Sequence, residues 1–239
     1  DKDLCALAAQ LADIDKLSPQ CWCVVGNCFS LQREPDAAIK FFQRAIQVDP
    51  HFTYAYTLCG HESVHNEDFE RATTYFRKAL LCDDRHYGAW YGLGSIFYHQ
   101  ERYDLAEYHF RRALSINKSS SVLHCYLGMV LRAQDTPEKV NEALKVLTTA
   151  CDTYPRNSQL HFQRAHTLIA VEQWEEARSE LELVRELAPR EPPVYILLGN
   201  ICQRLGKPTQ ALGYFNTALS LDPKEGSALR ANLENLDPE

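Results

Sequence analysis

His61-Glu62-x-x-His65 sets two imidazoles one helical turn apart with a carboxylate between them. On a helix that spacing lets both rings bind one zinc ion while the carboxylate activates water, the chemistry of zinc peptidases. Such a centre also needs a third protein ligand and a dry cleft. The extended metal-binding helix would carry Gly three residues after His65 and a third His beyond it; Asp68 stands in the Gly position and Arg71 in that of the His. The reading favoured here is therefore that His61 and His65 are groove or surface residues, with no metal and no cofactor. Cys21, Cys23 and Cys28 crowd together in sequence but fall on different helix faces, and His161 and His166 do not share a face. No nucleophile elbow, phosphate loop or dinucleotide fingerprint is present. The residues name no catalytic group, and the chain reads as a non-enzyme.

The elements that would carry these residues follow from a repeat. Gly26, Gly60, Gly94 and Gly128 fall 34 residues apart. Trp22, Tyr56, Trp90 and His124 precede them by four positions, and Phe29, Phe97 and Leu131 follow three of them by three. Further on come Ala38, Ala72 and Ala106, then Phe42, Phe76 and Phe110, then Ala45, Ala79 and Ala113. This is the tetratricopeptide pattern. Its physical content is a helix A whose aromatic, apolar and glycine positions form one stripe, and a helix B whose Ala and Phe fill the facing groove. Pro50, Pro155, Pro189 and Pro223 end helix B; Asp84 and Lys118 stand in that place in the second and third repeats and predict less abrupt ends.

The fourth repeat keeps Gly128, but Ala143, Leu147 and Ala150 arrive three residues late, and the loop from Arg132 to Lys139 is expected to absorb the insertion. The fifth has Ala165 in the glycine place, and the sixth carries Tyr195, Leu198, Gly199, Ala211, Phe215 and Ala218. The expected fold is all-α: a superhelical tetratricopeptide solenoid of six full repeats, over about 19–52, 53–86, 87–120, 121–157, 158–191 and 192–225. A partial helix B over 1–16 and a capping helix over 226–239 complete a single domain with no linker. The opening residues read as the interior of a longer chain.

Composition narrows the partners. The 239 residues carry 25 Lys and Arg against 32 Asp and Glu, a net charge of −7, with no long basic run, so nucleic acid is not an expected partner. No apolar run approaches the length of a membrane span, which predicts no membrane insertion. Nine cysteines without a paired framework read as reduced, partly buried thiols of the cytosol or nucleus.

A repeat of this kind lines a concave wall with helices A. Positions two before, one after and five after the leading aromatic are expected to face it. They supply Gln20, Cys23 and Asn27, then Tyr54, Thr57 and His61, then Gly88, Tyr91 and Ser95, with Leu58, Glu62, Tyr98 and His99 at the margins. Later repeats offer Val122, Cys125 and Met129, then Gln159, Phe162 and His166, then Ile196 and Asn200. A clamp for acidic chaperone tails would need Lys and Arg paired with Asn on successive A helices; only Asn27 fits, and Thr57, His61, Tyr91 and Ser95 stand where the cations belong. Amides, hydroxyls, a Tyr/Leu wall and the acid Glu62 instead suit a short extended peptide with one aliphatic side chain and one cation.

Four stretches go beyond the repeat consensus: 22–34 (WCVVGNCFSLQRE), 38–50 (AIKFFQRAIQVDP), 54–62 (YAYTLCGHE) and 85–94 (RHYGAWYGLG). In these the chain resembles the C-terminal tetratricopeptide domain of the cell-division-cycle protein 27 family, a subunit of the anaphase-promoting complex. The resemblance covers nearly the whole chain and is most specific in the first three repeats. It implies a non-catalytic scaffold of a ubiquitin ligase in nucleus and cytoplasm, acting in cell-cycle control. It implies a groove that receives the C-terminal Ile-Arg tail of coactivators, and contacts with other subunits of the complex. The family's homodimer contact lies mostly in an N-terminal half. Asn27 and Leu58 fall in the matching motifs and are the first expected tail contacts. Chemistry assigns Asn27 to the peptide backbone or terminal carboxylate, Leu58 and Tyr91 to the isoleucine, and Glu62 to the arginine. Thr57, His61 and Ser95 flank them, and Cys23, Tyr54 and Tyr98 complete the groove. The alternatives are a tetratricopeptide adaptor of another assembly, of co-chaperone or transport type, and a metal-dependent hydrolase built on His61, Glu62 and His65.

Overall fold

The computed structural model describes residues 17–222, together with Ala6. The partial helix expected over 1–16 (Ala6 apart), the capping helix over 226–239 and Pro223 lie outside the described residues. The described residues form twelve helices and no strand. In the first compact unit, Asp1–Ser119, these are α1 (Pro19–Leu31), α2 (Pro35–Val48), α3 (Thr53–His65), α4 (Phe69–Cys82), α5 (Tyr87–His99) and α6 (Tyr103–Ile116). The second, Ser120–Glu239, holds α7 (Ser121–Ala133), α8 (Pro137–Thr153), α9 (Ser158–Ala170), α10 (Trp174–Leu187), α11 (Pro192–Arg204) and α12 (Pro208–Leu221). Odd-numbered helices are helix A of each repeat and even-numbered ones helix B. The architecture is the all-α tetratricopeptide fold.

Local chemistry explains the starts and stops. Proline opens α1, α2, α8, α11 and α12, where its missing N–H belongs to the unsatisfied first turn. Asp68, Ser120, Thr136 and Asn157 instead cap their helices, each side chain accepting from the backbone N–H three residues on. Between helix A and helix B the backbone turns left-handed at Arg33, Glu67, Glu101, Asp135, Glu172 and Gly206, with φ between 51° and 69°. Five of these six residues carry a Cβ, a local strain held because the turn must close within three residues. Helix B ends by a switch to extended backbone: Asp49 has φ −136° and ψ 101°, and Asp83 has φ −150° and ψ 104°. The end of α4 is thus as abrupt as that of α2, although Asp84 replaces the following proline. An extended residue at the C-cap stops the helix without it.

The insertion in the fourth repeat sits elsewhere than the loop. α7 ends at Ala133, the left-handed residue Asp135 keeps the 34-residue phase, and α8 starts on schedule at Pro137. α8 is instead 17 residues long where the other B helices have 14. Three added residues are close to one helical turn, so the extra length enters the helix without rotating the buried face of Ala143, Leu147 and Ala150.

Packing turns on the glycines. A Cβ on Gly60 would stand 2.5 Å from the ring of Phe76, and one on Gly92 of α5 would stand 2.3 Å from the same ring. Phe76 on α4 is therefore gripped by the A helices of two successive repeats and is fully buried. Gly26 meets Phe42 in the same way, and Gly199 meets Phe215. In the fifth repeat Ala165 shares its core with Leu181, the narrower side chain leaving room for the methyl. Gly60→Ala and Gly92→Ala should each destabilise the protein by about 1–3 kcal/mol, the range for overpacking a filled core. Gly213→Ala on α12, where no atom lies within 4 Å of the added methyl, should stabilise by up to about 1 kcal/mol through helix propensity. Urea denaturation of the three variants checks the contrast, and equal effects would remove the packing account.

Candidate functional site

The A helices α1, α3 and α5 of the first unit carry the expected groove residues, and the structure separates them into three groups. Cys23 and Thr57 are buried, at 3% and 4% exposure. The expectation that they line an open groove is corrected here. Cys23 is enclosed by the core of α1, α2 and α3, and the Thr57 hydroxyl donates to the carbonyl of Thr53 at 3.2 Å. Burial pushes the Cys23 thiol up to about 12, so it is an inert core thiol. Asn27, Leu58, His61, Tyr91, Ser95 and Tyr98 are half-buried, and Tyr54 is exposed. Glu62 is the third case: a carboxylate at 7% exposure.

The slot that Glu62 occupies is uncharged in the other repeats. One repeat earlier the position is Cys28, and later ones hold Ile96, Val130, Thr167 and Ile201, all buried. Burying a carboxylate there costs several kcal/mol unless partners are supplied. Within the chain the Ser30 hydroxyl donates to Glu62 Oε1 at 2.6 Å, and His65 Nδ1 lies 3.9 Å from the same oxygen. Ser30, Arg33, Pro35, Glu62 and His65 line a cleft of about 450 Å³ between the end of α1, the start of α2 and the end of α3. The sequence reading named Glu62 but missed Ser30, Arg33 and Pro35 as its surroundings. An acid in a slot that is uncharged in every other repeat was the available signal.

His61 and His65 do not act as a pair. The His61 ring stands edge-on to Phe76, with centroids 5.1 Å apart, and lies 6.2 Å from Tyr91. His65 is exposed beside Glu62. Among the described residues, the group whose ligand atoms converge within 4.8 Å is Cys151, His161 and Glu180, on α8, α9 and α10. Those donors are already engaged. His161 places Nδ1 2.7 Å from Glu180 Oε2 and Nε2 3.1 Å from the Pro155 carbonyl. Arg164 donates to the other Glu180 oxygen at 3.0 Å, and burial pushes the Cys151 thiol up to about 11. An arginine in the cluster opposes a cation, so the set is an ion network joining α9 to α10. Periodicity could not reveal it, since its members come from three helices. The remaining cysteines of the described residues are free thiols, most of them buried.

Burial, with the neighbouring His65 and His86 charges, pushes His61 down from 6.5 to about 4. His166 falls to about 4 through burial and the Arg132 charge. Both rings stay neutral in the folded chain where the unfolded chain takes up protons. Stability is therefore complete above pH 6.5 and declines as pH falls toward about 4. In urea unfolding across that window, His61→Gln should make the pH slope shallower by nearly one proton, and His61→Gln with His166→Gln by nearly two. An unchanged slope would mean that the rings are open to water.

Comparisons with known proteins fit this geometry. Family models described as "Tetratricopeptide repeat" match residues 19–52 and 60–121. One described as "Coatomer epsilon subunit" matches residues 95–224 and leaves the Glu62 cleft outside its span. "Anaphase-promoting complex subunit 3" of Dictyostelium discoideum is 50% identical over 236 residues, 99% of this chain and 24% of that protein. "Cell division cycle protein 27 homolog A" of Arabidopsis thaliana is 50% identical over 232 residues, 96% of this chain and 32% of that protein. Subunit 3 of Schizosaccharomyces pombe is 42% identical over 97% of this chain and 34% of its own length. The chain thus spans about a quarter to a third of the length of these relatives. Among solved structures, the APC/C hetero-tetramer Cut9–Hcn1 superposes with a TM-score of 0.84 at 15% identity, over 99% of this chain and 46% of that one, which speaks for the fold alone. No helix among the described residues is long and apolar enough to cross a membrane. Identity at this level over nearly every residue, which the coatomer match does not approach in coverage, places the chain in the anaphase-promoting complex subunit 3 (cell division cycle protein 27) family, as part of its tetratricopeptide region.

Proposed function

We propose that this chain is a non-catalytic scaffold region of the anaphase-promoting complex, and that its first unit receives the C-terminal Ile-Arg tail of coactivators. The observation that supports this most is Glu62, a buried acid in a slot uncharged in the other repeats, with a hydroxyl as its close partner and a cleft in front of it. A guanidinium entering that cleft supplies the missing charge and forms a charge-assisted bond. Leu58, which packs on the core of α1 to α3, and Tyr91 offer the apolar wall for an isoleucine. Asn27, half-buried on α1, is placed to hold the peptide backbone or its terminal carboxylate. His61 and Ser95 follow Asn27 in the same repeat position on α3 and α5. The Ser95 hydroxyl is buried with no hydrogen-bond partner among the described residues. Tyr54 and Tyr98 stand at the rim, and the other subunits of the complex and a second copy of the full-length protein complete the partner set. Residence in nucleus and cytoplasm accompanies this role.

One isoleucine buried contributes roughly 1.5–3 kcal/mol, and one charge-assisted bond a similar amount. After the cost of ordering a flexible tail, the dipeptide end alone binds in about the micromolar to millimolar range. Recruitment then relies on further contacts of the same coactivator, which raise the effective concentration of the tail. Calorimetry should show an Ile-Arg-ended peptide losing about tenfold or more in affinity on removal of its arginine, and as much on Glu62→Gln. The variant should bind the intact and shortened peptides alike, because the two changes remove one interaction. Full additivity of the two losses, or equal affinity of the wild-type chain for both peptides, rules out the assignment.

A further inference from the structure

The second unit repeats the site position of Glu62 with the opposite chemistry. Ile169, Trp174, Ile201 and Arg204 lie 139 residues beyond Ser30, Pro35, Glu62 and His65 and hold the same places in their repeat. Together with Leu197, Asn200 and Gln203 they line a cleft of about 500 Å³ formed by α9, α10 and α11. Where the first cleft has a buried acid, this one has Ile201, and Trp174 replaces a proline as one wall. Its one ionised lining residue is Arg204, whose guanidinium lies over the Trp174 ring, 5.9 Å from the centroid.

Charge accounting among the described residues of the unit pairs the other cations near this cleft but not Arg204. Arg164 is paired with Glu180, Arg178 with Glu182 and Lys207 with Glu175, the neighbour of Trp174 in sequence. Arg204 joins no ion pair among the described residues, and the amides of Asn200 and Gln203 form no hydrogen bond there. Asn200 sits one helical turn before Arg204 and is the sixth-repeat counterpart of Asn27. An apolar floor, an aromatic wall with a guanidinium over it, and two free amides make a receptor for apolar and acidic groups side by side.

We propose that this cleft is a second docking site, and that its occupant is an extended peptide segment of a partner protein in which a bulky aliphatic side chain is followed by Asp or Glu. The aliphatic group covers Leu197 and Ile169, the carboxylate takes Arg204, and Asn200 holds the intervening backbone. An arginine side chain in place of the acid would meet Arg204 with like charge, so the two clefts favour different side chains. This site stands independently of the Ile-Arg reading, since it shares no residue with the Glu62 cleft.

The test uses the full chain and three short peptides, acetylated and amidated to remove terminal charge, that differ at one residue after leucine: Asp, Asn or Arg. The side-chain indole resonance of Trp174 and fluorescence polarisation report binding. The Asp peptide should shift the Trp174 indole and bind about tenfold or more tightly than the Asn peptide, with the Arg peptide shifting that indole least. Arg204→Gln, a surface change that leaves the core intact, should erase the preference for Asp over Asn, and Leu197→Ala should weaken both. Glu62→Gln should leave the affinities of the Asp and Asn peptides as they are. Absence of a Trp174 shift at millimolar peptide, equal binding of the Asp and Asn peptides, or loss of Asp-peptide binding on Glu62→Gln would each overturn the proposal.

Discussion

Everything in this chain rests on how closely helix A approaches helix B. The approach is set where a residue without a side chain meets a ring: Gly60 and Gly92 against Phe76, Gly26 against Phe42, Gly94 against Phe110, Gly199 against Phe215. Because Phe76 is held by glycines of two successive A helices, one contact fixes both the pairing within a repeat and the step to the next. A ring of fixed size then imposes a constant spacing, and the turn between the helices must close within it. That requirement explains why Arg33, Glu67 and Glu101 accept left-handed backbone. Strain at the turn is offset by packing at the crossing.

A constant step makes the two clefts comparable. Each forms where the end of one helix A, the start of helix B and the end of the next helix A leave a gap that the packing cannot fill. The fold determines where the gaps are, and the side chains at a few positions determine what each one favours. The first sets Glu62 and Ser30 beside Arg33, while Trp174, Ile201 and Arg204 make the second apolar with a cation of its own. Changing such positions leaves the glycine and phenylalanine contacts untouched, so specificity can vary while the scaffold stays constant.

Much of the fold was legible in the sequence because its determinants are local and periodic. Glycine, alanine and aromatic positions return at one interval, and their helices appear where that interval puts them, even across the added turn of α8. The location of that added turn was not legible. Spacing shows that three residues are extra, but only the energetics of a helix able to lengthen by a whole turn without turning its apolar face away from the core places them in α8 rather than in the loop. The site was legible in part. Helical geometry located Asn27, Leu58 and Glu62 on successive A helices, but a rule for which positions face a groove cannot see that Cys23 and Thr57 are covered by neighbouring elements. The Cys151, His161, Glu180 and Arg164 network was hidden for the same reason, since no short spacing joins its members.

The letters around His61 show why spacing alone does not settle chemistry. Two histidines one turn apart form a metal site only when both rings are free to turn toward one point. Here the first ring is occupied by Phe76 and Tyr91 and the second is in water, so the shared helix does not give a shared centre. The carboxylate between them serves a different end. An acid kept in a buried slot gains little from a ligand without a cation and remains desolvated if one binds. It therefore discriminates more by what it penalises than by what it attracts. That is the property the proposed tail-binding role calls for, where few contacts are available and each must reject as well as bind.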